Sequence, residues 1–493
     1  MTTWKKMCAS TAVAALLVPA AGWAEVTADQ VWNKWSDSLQ TFGYTVSVGS
    51  QQRAGDTLVI TDLVLTMARP EADVAITLSE MRLRESGGSV AITLANDIPI
   101  IGTSKIADAP TTTIAMNLRQ SGLEMVVSGT EAEMTYATTA PEMSLEMEAL
   151  EADGAAAPVK MQLALKDTAG SYTWLTDGGQ HISSDVTTGT LSFSLSGAEP
   201  DSDSTFTMNG AMRDLNILSE GFMPDGVDMT DMAAAIGAGF YADVEVSYGA
   251  GNYAMEFADV SGTGALSSSG DGGTFYLSMS GDGLEYGLDG GRSATSLAVQ
   301  NLPFPIDFAL DSTSFLFSMP ISQSDDPQLF AARIGMAGLT VSEQLWQMFD
   351  PAAMLPRTPV DLLVDLSGSV KLLVNLFDPV AVQSVPLPGE LESLDINAVH
   401  FAAAGADLSG GGGFSFDNTM GFPMPKGAVD LRLVGAYALM DKLSAMGLLP
   451  SDQVAGFRAM LGLFSVPAGD DVLTSKIEVR EDGGVYANGQ RLQ

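Results

Sequence analysis

Val159-Lys160-Met161-Gln162-Leu163-Ala164-Leu165 places an apolar residue at every second position, and Leu191-Ser192-Phe193-Ser194-Leu195 repeats the pattern further on. Successive side chains of a strand point to opposite faces, so this period of two describes strands with one buried and one wet face. The same signature recurs at Val74, Ile76 and Leu78, at Met143, Leu145 and Met147, at Phe275, Leu277 and Met279, and at Phe315, Phe317 and Met319. Turn clusters such as Glu85-Ser86-Gly87-Gly88, Asp177-Gly178-Gly179 and Asp482-Gly483-Gly484 separate the runs. Together they predict a mainly β (α+β) fold built on a large antiparallel, curved, meander-type sheet rather than a parallel α/β core. The Gly/Ser stretch from Ser261 to Gly273 and Gly410-Gly411-Gly412-Gly413 read as loops or tight turns between strands.

Helices are expected near the two ends. Trp32, Trp35, Leu39 and Phe42 recur at helical spacing ahead of Gly43, and Thr27 with Gln30 fits a capping box. In the last third, Ser342 is placed to cap a short helix carrying Leu345, Trp346 and Phe349. Ala436 to Leu448 reads as an amphipathic helix, and Ser451 is placed to cap another bearing Val454, Phe457, Met460, Leu461 and Phe464. Leu449-Pro450 between them predicts a helical hairpin, followed by strands from Val472 to Arg480 and from Val485 to Ala487. Two copies of Phe-Asp-Pro, at Phe349-Asp350-Pro351 and Phe377-Asp378-Pro379, read as helix starts, with Asp as cap and Pro at the first helical position.

Met1-Thr2-Thr3-Trp4-Lys5-Lys6, an apolar run from Met7 to Ala21, and the small-residue end Gly22-Trp23-Ala24 form the three parts of a secretory signal peptide, residues 1–24, cleaved after Ala24. The expected destination is the periplasm, with residues 25–493 forming a single large β-rich unit and a sub-boundary allowed near 320–340. Cleavage removes Cys8, the only cysteine, together with two of 23 basic residues. The mature chain then has no disulfide to draw on. No later segment offers an apolar run long enough to span a bilayer as a helix, and the few aromatics (7%) disfavour an outer-membrane barrel.

The formal charge of the whole chain is −37, although charged residues make up only 17% of it, below the roughly 25% of an average domain. Basic residues are scarce rather than carboxylates dense. Nucleic acid is excluded as a partner, because phosphate recognition needs clustered Lys and Arg. No catalytic, cofactor-binding or metal-ligating residue is assigned, and no cofactor is expected. His181 and His400 stand alone, without a nucleophile elbow or a His-Glu-x-x-His helix. Asp201-Ser202-Asp203 and Gly281-Asp282-Gly283 lack the ligand spacing of a calcium loop and read as acidic turns.

Methionine is abundant, with 26 in the chain, and Met116, Met125, Met134, Met143, Met147 and Met161 fall on strand faces. Such side chains fill irregular cores and also adapt to greasy partners, so a core or the wall of a lipid groove both remain open.

The stretches Leu345-Trp346-Gln347-Met348-Phe349-Asp350-Pro351, Leu355-Pro356-Arg357-Thr358-Pro359 and Val364-Asp365-Leu366-Ser367-Gly368 resemble an alphaproteobacterial envelope family known as domain of unknown function 2125. Gly427-Ala428-Val429-Asp430-Leu431 and Ala487-Asn488-Gly489-Gln490-Arg491-Leu492 look like the same family. The resemblance implies one large family unit over most of the mature chain and a secreted or periplasmic home. It carries no activity and no site residues.

Two readings follow. The first is a non-enzymatic protein that binds or transfers a hydrophobic ligand such as lipid along its sheet. The alternative is a structural or interaction protein of the envelope with a closed core and no ligand. An open apolar sheet face distinguishes the first from the second.

Overall fold

The computed structural model describes residues 25–493 apart from 42, 107–108, 200–201, 230, 301 and 493. The expected signal peptide and Phe42 lie outside the described residues. α1 (Ala28–Thr41) comes first, and its Thr27/Gln30 capping box is formed: Thr27 N–H donates to Gln30 Oε1 at 2.9 Å and Gln30 N–H to Thr27 Oγ1 at 3.3 Å. A long meander follows: β1 (Thr45–Ala54), β2 (Thr57–Ala68), β3 (Ala72–Ser86), β4 (Ser89–Leu94), β5 (Asp97–Ser104), β6 (Thr112–Ser121), β7 (Glu124–Gly129), β8 (Glu133–Ala152) and β9 (Ala155–Ala156). Next come β10 (Val159–Thr176), β11 (Gly179–Ala198), β12 (Thr205–Pro224) and α2 (Met232–Gly237). The middle holds β13 (Tyr241–Tyr248), β14 (Gly251–Asp259), β15 (Gly262–Gly270), β16 (Gly273–Ser280), β17 (Gly283–Gly290), β18 (Ser293–Val299), β19 (Ile306–Leu310), β20 (Ser312–Met319) and β21 (Gln328–Val341). The last part comprises α3 (Glu343–Phe349), β22 (Val360–Leu372), α4 (Pro379–Ser384), β23 (Gly389–Ala403), β24 (Ala406–Asp417), β25 (Met424–Val434), α5 (Ala436–Ala445), α6 (Ser451–Phe464), β26 (Val466–Gly469), β27 (Val472–Val479), β28 (Val485–Ala487) and β29 (Gln490–Arg491).

Spatial order follows chain order, and the neighbours pair antiparallel from β1–β2 through β11–β12 to β28–β29. Several ranks of this ribbon are two collinear half strands. β12, for example, holds β13 through Asn216↔Ser247 and β14 through Met212↔Gly251 in one register. The pairs β4–β5, β6–β7, β15–β16, β17–β18 and β19–β20 behave alike. Among the described residues β1 pairs only with β2 and β29 only with β28, so the ribbon keeps two free edges and does not close on itself.

A crease crosses these ranks. Asp62, Asp167 and Asp214 adopt left-handed backbone angles (φ 52°, 55° and 51°), as do Gly122, Gly272 and Gly338 (72°, 111° and 70°). Aspartate and glycine visit this region far more readily than β-branched residues do. The ladder does not slip there: Val48↔Leu63 and Ser50↔Thr61 flank Asp62 in a single register. Opposite Asp62 stands Gly49, where a Cβ would lie 2.7 Å from the Asp62 Cβ, so a side chain has no room.

The crease changes the phase of the side chains. On β2 the buried residues are Leu58 and Ile60 before Asp62, but Leu63 and Leu65 after it. A one-residue change of phase normally sends a hydrophobic set to the opposite face. Here the left-handed residue compensates, and both limbs of the bent strand present apolar residues to one inner side. All four belong to a single core with Val31 and Trp32 of α1 and with Met81, Leu83, Val127, Met134 and Tyr136. α1 thus lies against the inner side of the first ranks.

Three sequence-based expectations are corrected. Ser261–Gly273 is largely strand β15, and Gly410–Gly413 lies inside β24. Neighbouring backbones come too close there for side chains: a Cβ on Gly412 would stand 2.1 Å from the Ala428 carbonyl oxygen. Ser451 is the first residue of α6, and Pro450 holds the cap position. Asp378 caps α4 by accepting from the Val380 and Ala381 N–H groups, as the Phe-Asp-Pro reading required, whereas Asp350 stands at the C-terminal end of α3.

Candidate functional site

Partners across an antiparallel ladder share a face, so the inner lining can be followed from strand to strand. In one limb it runs Tyr172, Ser184, Ser219, Val244, Leu277, Tyr286 and Phe317. In the other it runs Leu163, Phe193, Gly210, Tyr253, Ser268, Thr295 and Phe308. Register also places Met116, Met143, Met147 and Met161 on this face, half-buried, while Met134 is sealed beneath α1. The methionines therefore divide between core and open wall.

Among the described residues of β10–β13 and β15–β22, crease aspartates aside, no charged side chain occupies an inward position. Lys160, Asp185, Glu220, Glu245, Glu285 and Arg333 all fall on the outward alternation. Several polar groups inside pair across the ladder, although the buried Gln328 Oε1 has no partner. Thr168 and Thr188 hydroxyls lie 3.0 Å apart, those of Ser184 and Ser219 2.7 Å, and those of Ser268 and Thr295 2.9 Å.

Beneath α1 the inner face is sealed; beyond it the face is open. Phe206, Tyr253, Phe257, Phe275 and Leu288 are each between 36% and 46% exposed, although they stand on the apolar side. Four inner phenylalanines lie across facing glycines: Phe193 over Gly210, Phe206 over Gly197, Phe257 over Gly264 and Phe330 over Gly368. A Cβ on Gly264 would come within 2.2 Å of the Phe257 ring. Rings that occupy the space above glycines line the trough there. At the crease, Phe193, Met212 and Tyr253 from one limb and Tyr248, Leu288 and Thr313 from the other enclose a hollow of about 300 Å³. The larger hollows, about 700 and 820 Å³, draw most of their lining from outward positions such as Ser267, Ser269, Ser194 and Ser196.

Comparison with known proteins bears on the second half of this ribbon. Residues 233–492 match the family described as "Uncharacterized protein conserved in bacteria (DUF2125)". The chain belongs to the DUF2125 family. No curated protein and no solved structure matches it. The DUF2125 match opens within α2 and includes the ribbon from β13 onward, while residues 25–232, with α1 and its sealed core, precede it.

Within the DUF2125 stretch, Asp350 is the most enclosed carboxylate. Its side chain accepts from the N–H groups of Met354 (2.9 Å) and Leu355 (2.8 Å) and from Arg357 Nη1 (2.5 Å). Burial alone would raise its pKa, but the Arg357 guanidinium and the two backbone donors outweigh that and hold it below the ordinary aspartate range. Arg357 also lies over the Trp346 ring at 4.4 Å and reaches Glu343 at 3.4 Å. This lock fixes α3, which carries the chain from β21 to β22.

The two histidines are far apart on the outer face. His181 packs on Phe222 with ring centroids 4.3 Å apart, and His400 contacts Asp407 at 3.1 Å across a hairpin. Asp282 occupies the turn between β16 and β17, and Asp201 lies outside the described residues. Among the described residues no group of three His, Cys, Asp or Glu is placed to hold a metal ion.

Proposed function

We propose that this DUF2125 protein is a non-enzymatic periplasmic protein whose trough binds or passes a hydrophobic molecule, a lipid acyl chain being the class that fits. The carrying observation is the open apolar face: a wall of Phe, Met, Leu and Tyr running from β10 to β21, half-exposed to solvent and without charge apart from the crease aspartates and Asp259 at its rim. Soluble proteins seldom leave apolar patches beyond a few hundred Å² uncovered unless something binds there. The signal-peptide pattern of residues 1–24 supports the periplasmic address. A closed-core interaction protein accounts for the region under α1, but not for the uncovered face beyond it.

The test is extraction and mass spectrometry of lipid from the purified full chain, beside the variant Leu277→Lys. Lipid co-purifies with the wild type and falls at least about fivefold in the variant, since a charge in an apolar wall must be desolvated when a chain lies over it. Repeated recovery of folded wild type with no bound lipid overturns the proposal.

A further inference from the structure

Crease aspartates aside, the trough's inner wall is uncharged, but its rims are not. Turns at one edge carry Asp153, Glu199 and Asp259, and turns at the other carry Asp177, Asp225 and Asp282. Residues 131–330, which build the open section, contain 30 carboxylates and only four basic residues, Lys160, Lys166, Arg213 and Arg292. Two of those four are already engaged, Lys166 with Glu142 at 3.8 Å and Arg292 with Asp311 at 3.4 Å. An amphiphile whose chain lies in the trough must leave its headgroup at one of these rims.

Resting on the lipid reading above, we propose that the trough discriminates by headgroup, admitting zwitterionic or uncharged amphiphiles and rejecting anionic ones. A low-dielectric wall focuses the field of the surrounding carboxylates into the groove. An anionic headgroup there meets like charge and no inward cation, whereas a zwitterion turns its ammonium group toward the rim. Selectivity of this origin acts through space and is screened by salt.

The experiment incubates the full-length protein with vesicles of phosphatidylcholine and phosphatidylglycerol in equal amounts, re-isolates it and quantifies bound lipid. At about 10 mM salt, where the Debye length is about 30 Å, phosphatidylcholine should exceed phosphatidylglycerol by at least about threefold. At about 1 M salt, where that length is about 3 Å, the ratio should fall toward one. The triple variant Glu151→Gln, Glu199→Gln, Asp203→Asn, confined to exposed positions near one rim, should lower the low-salt ratio while leaving total lipid unchanged. Equal uptake of both lipids at low salt overturns the headgroup proposal and leaves the lipid reading standing. Selectivity that survives 1 M salt also overturns it, because its cause is then not the rim charge. Uptake of neither lipid removes the lipid reading and this inference with it.

Discussion

Arg357 grips Asp350 through Nη1 while its guanidinium sits 4.4 Å from the Trp346 ring centroid, so one cation ties the end of α3 to the loop that leads into β22. The Asp350 side chain is fully enclosed, and removing its charge strands Arg357. Asp350→Asn should lower the melting temperature at pH 7 by more than about 3 °C.

The same pair has a defined pH signature. A carboxylate whose pKa is depressed in the folded state stabilises it fully above the ordinary carboxylate range. That contribution is lost as pH falls through the depressed value. The stability gap between wild type and Asp350→Asn, read from urea midpoints, should therefore be constant from pH 7 to about pH 5 and narrow below about pH 4. A gap that stays constant down to pH 3 would count against the ion pair as its source.

The crease can be tested at Asp214, whose φ is 51°. Valine there must adopt a left-handed backbone that β-branched residues resist, at a cost of about 1–2 kcal/mol. Glycine accepts the same angle, so Asp214→Gly should stay within about 1 kcal/mol of the wild type. Equilibrium urea unfolding of the two variants gives the comparison. Equal losses would mean that the aspartate side chain, not the backbone angle, matters.

Trp32 is 5% exposed and packs with both limbs of the first ranks. Trp32→Ala should cost roughly 3–5 kcal/mol, as large buried aromatics do. Limited proteolysis should then cut first before residue 131. Resistance equal to the wild type would show that α1 does not hold this core.

Tyrosine titration reports the sealed end of the trough. Burial pushes the Tyr136 hydroxyl up to about 12, and Tyr172 beside it is raised further by burial and by Tyr136. Their rings lie 5.0 Å apart. Ultraviolet absorbance near pH 11 should show these two still un-ionised in the folded protein. Because unfolded tyrosine ionises near 10, the stability they contribute is intact below that pH and is lost as pH rises toward 12.

Much of the architecture was readable from period-two runs and turn clusters, because a sheet with one wet face must alternate. The capping box at Thr27 and the hairpin at Leu449-Pro450 rest on local chemistry and were legible for that reason. The crease was missed, although it leaves a trace: Leu58-Val59-Ile60-Thr61-Asp62-Leu63-Val64-Leu65 keeps its alternation but changes parity at Asp62. Met212-Arg213-Asp214-Leu215-Asn216-Ile217 does the same. A parity change at Asp marks a left-handed residue that inverts the face, a signal that propensity reasoning passes over. Asp350 was misread because Phe-Asp-Pro is a local motif, while its partner Arg357 determines which end of a helix the aspartate serves. Glycine runs inside β15 and β24 looked like loops because the close approach that requires them is a tertiary fact.

The ribbon's two dimensions are governed separately. Strand count sets its span and the position of the left-handed residue sets the depth of each limb, so either can change without disturbing the other. Full strands such as β11 and β12 have 20 residues each, so growth by tandem duplication would proceed in hairpin units of about 40–45 residues, each adding about 10 Å. Insertion of a single strand would instead leave the chain on the wrong side for its next turn. An architecture of this kind would lengthen in even steps, with reach as the quantity that changes and cross-section as the one that stays.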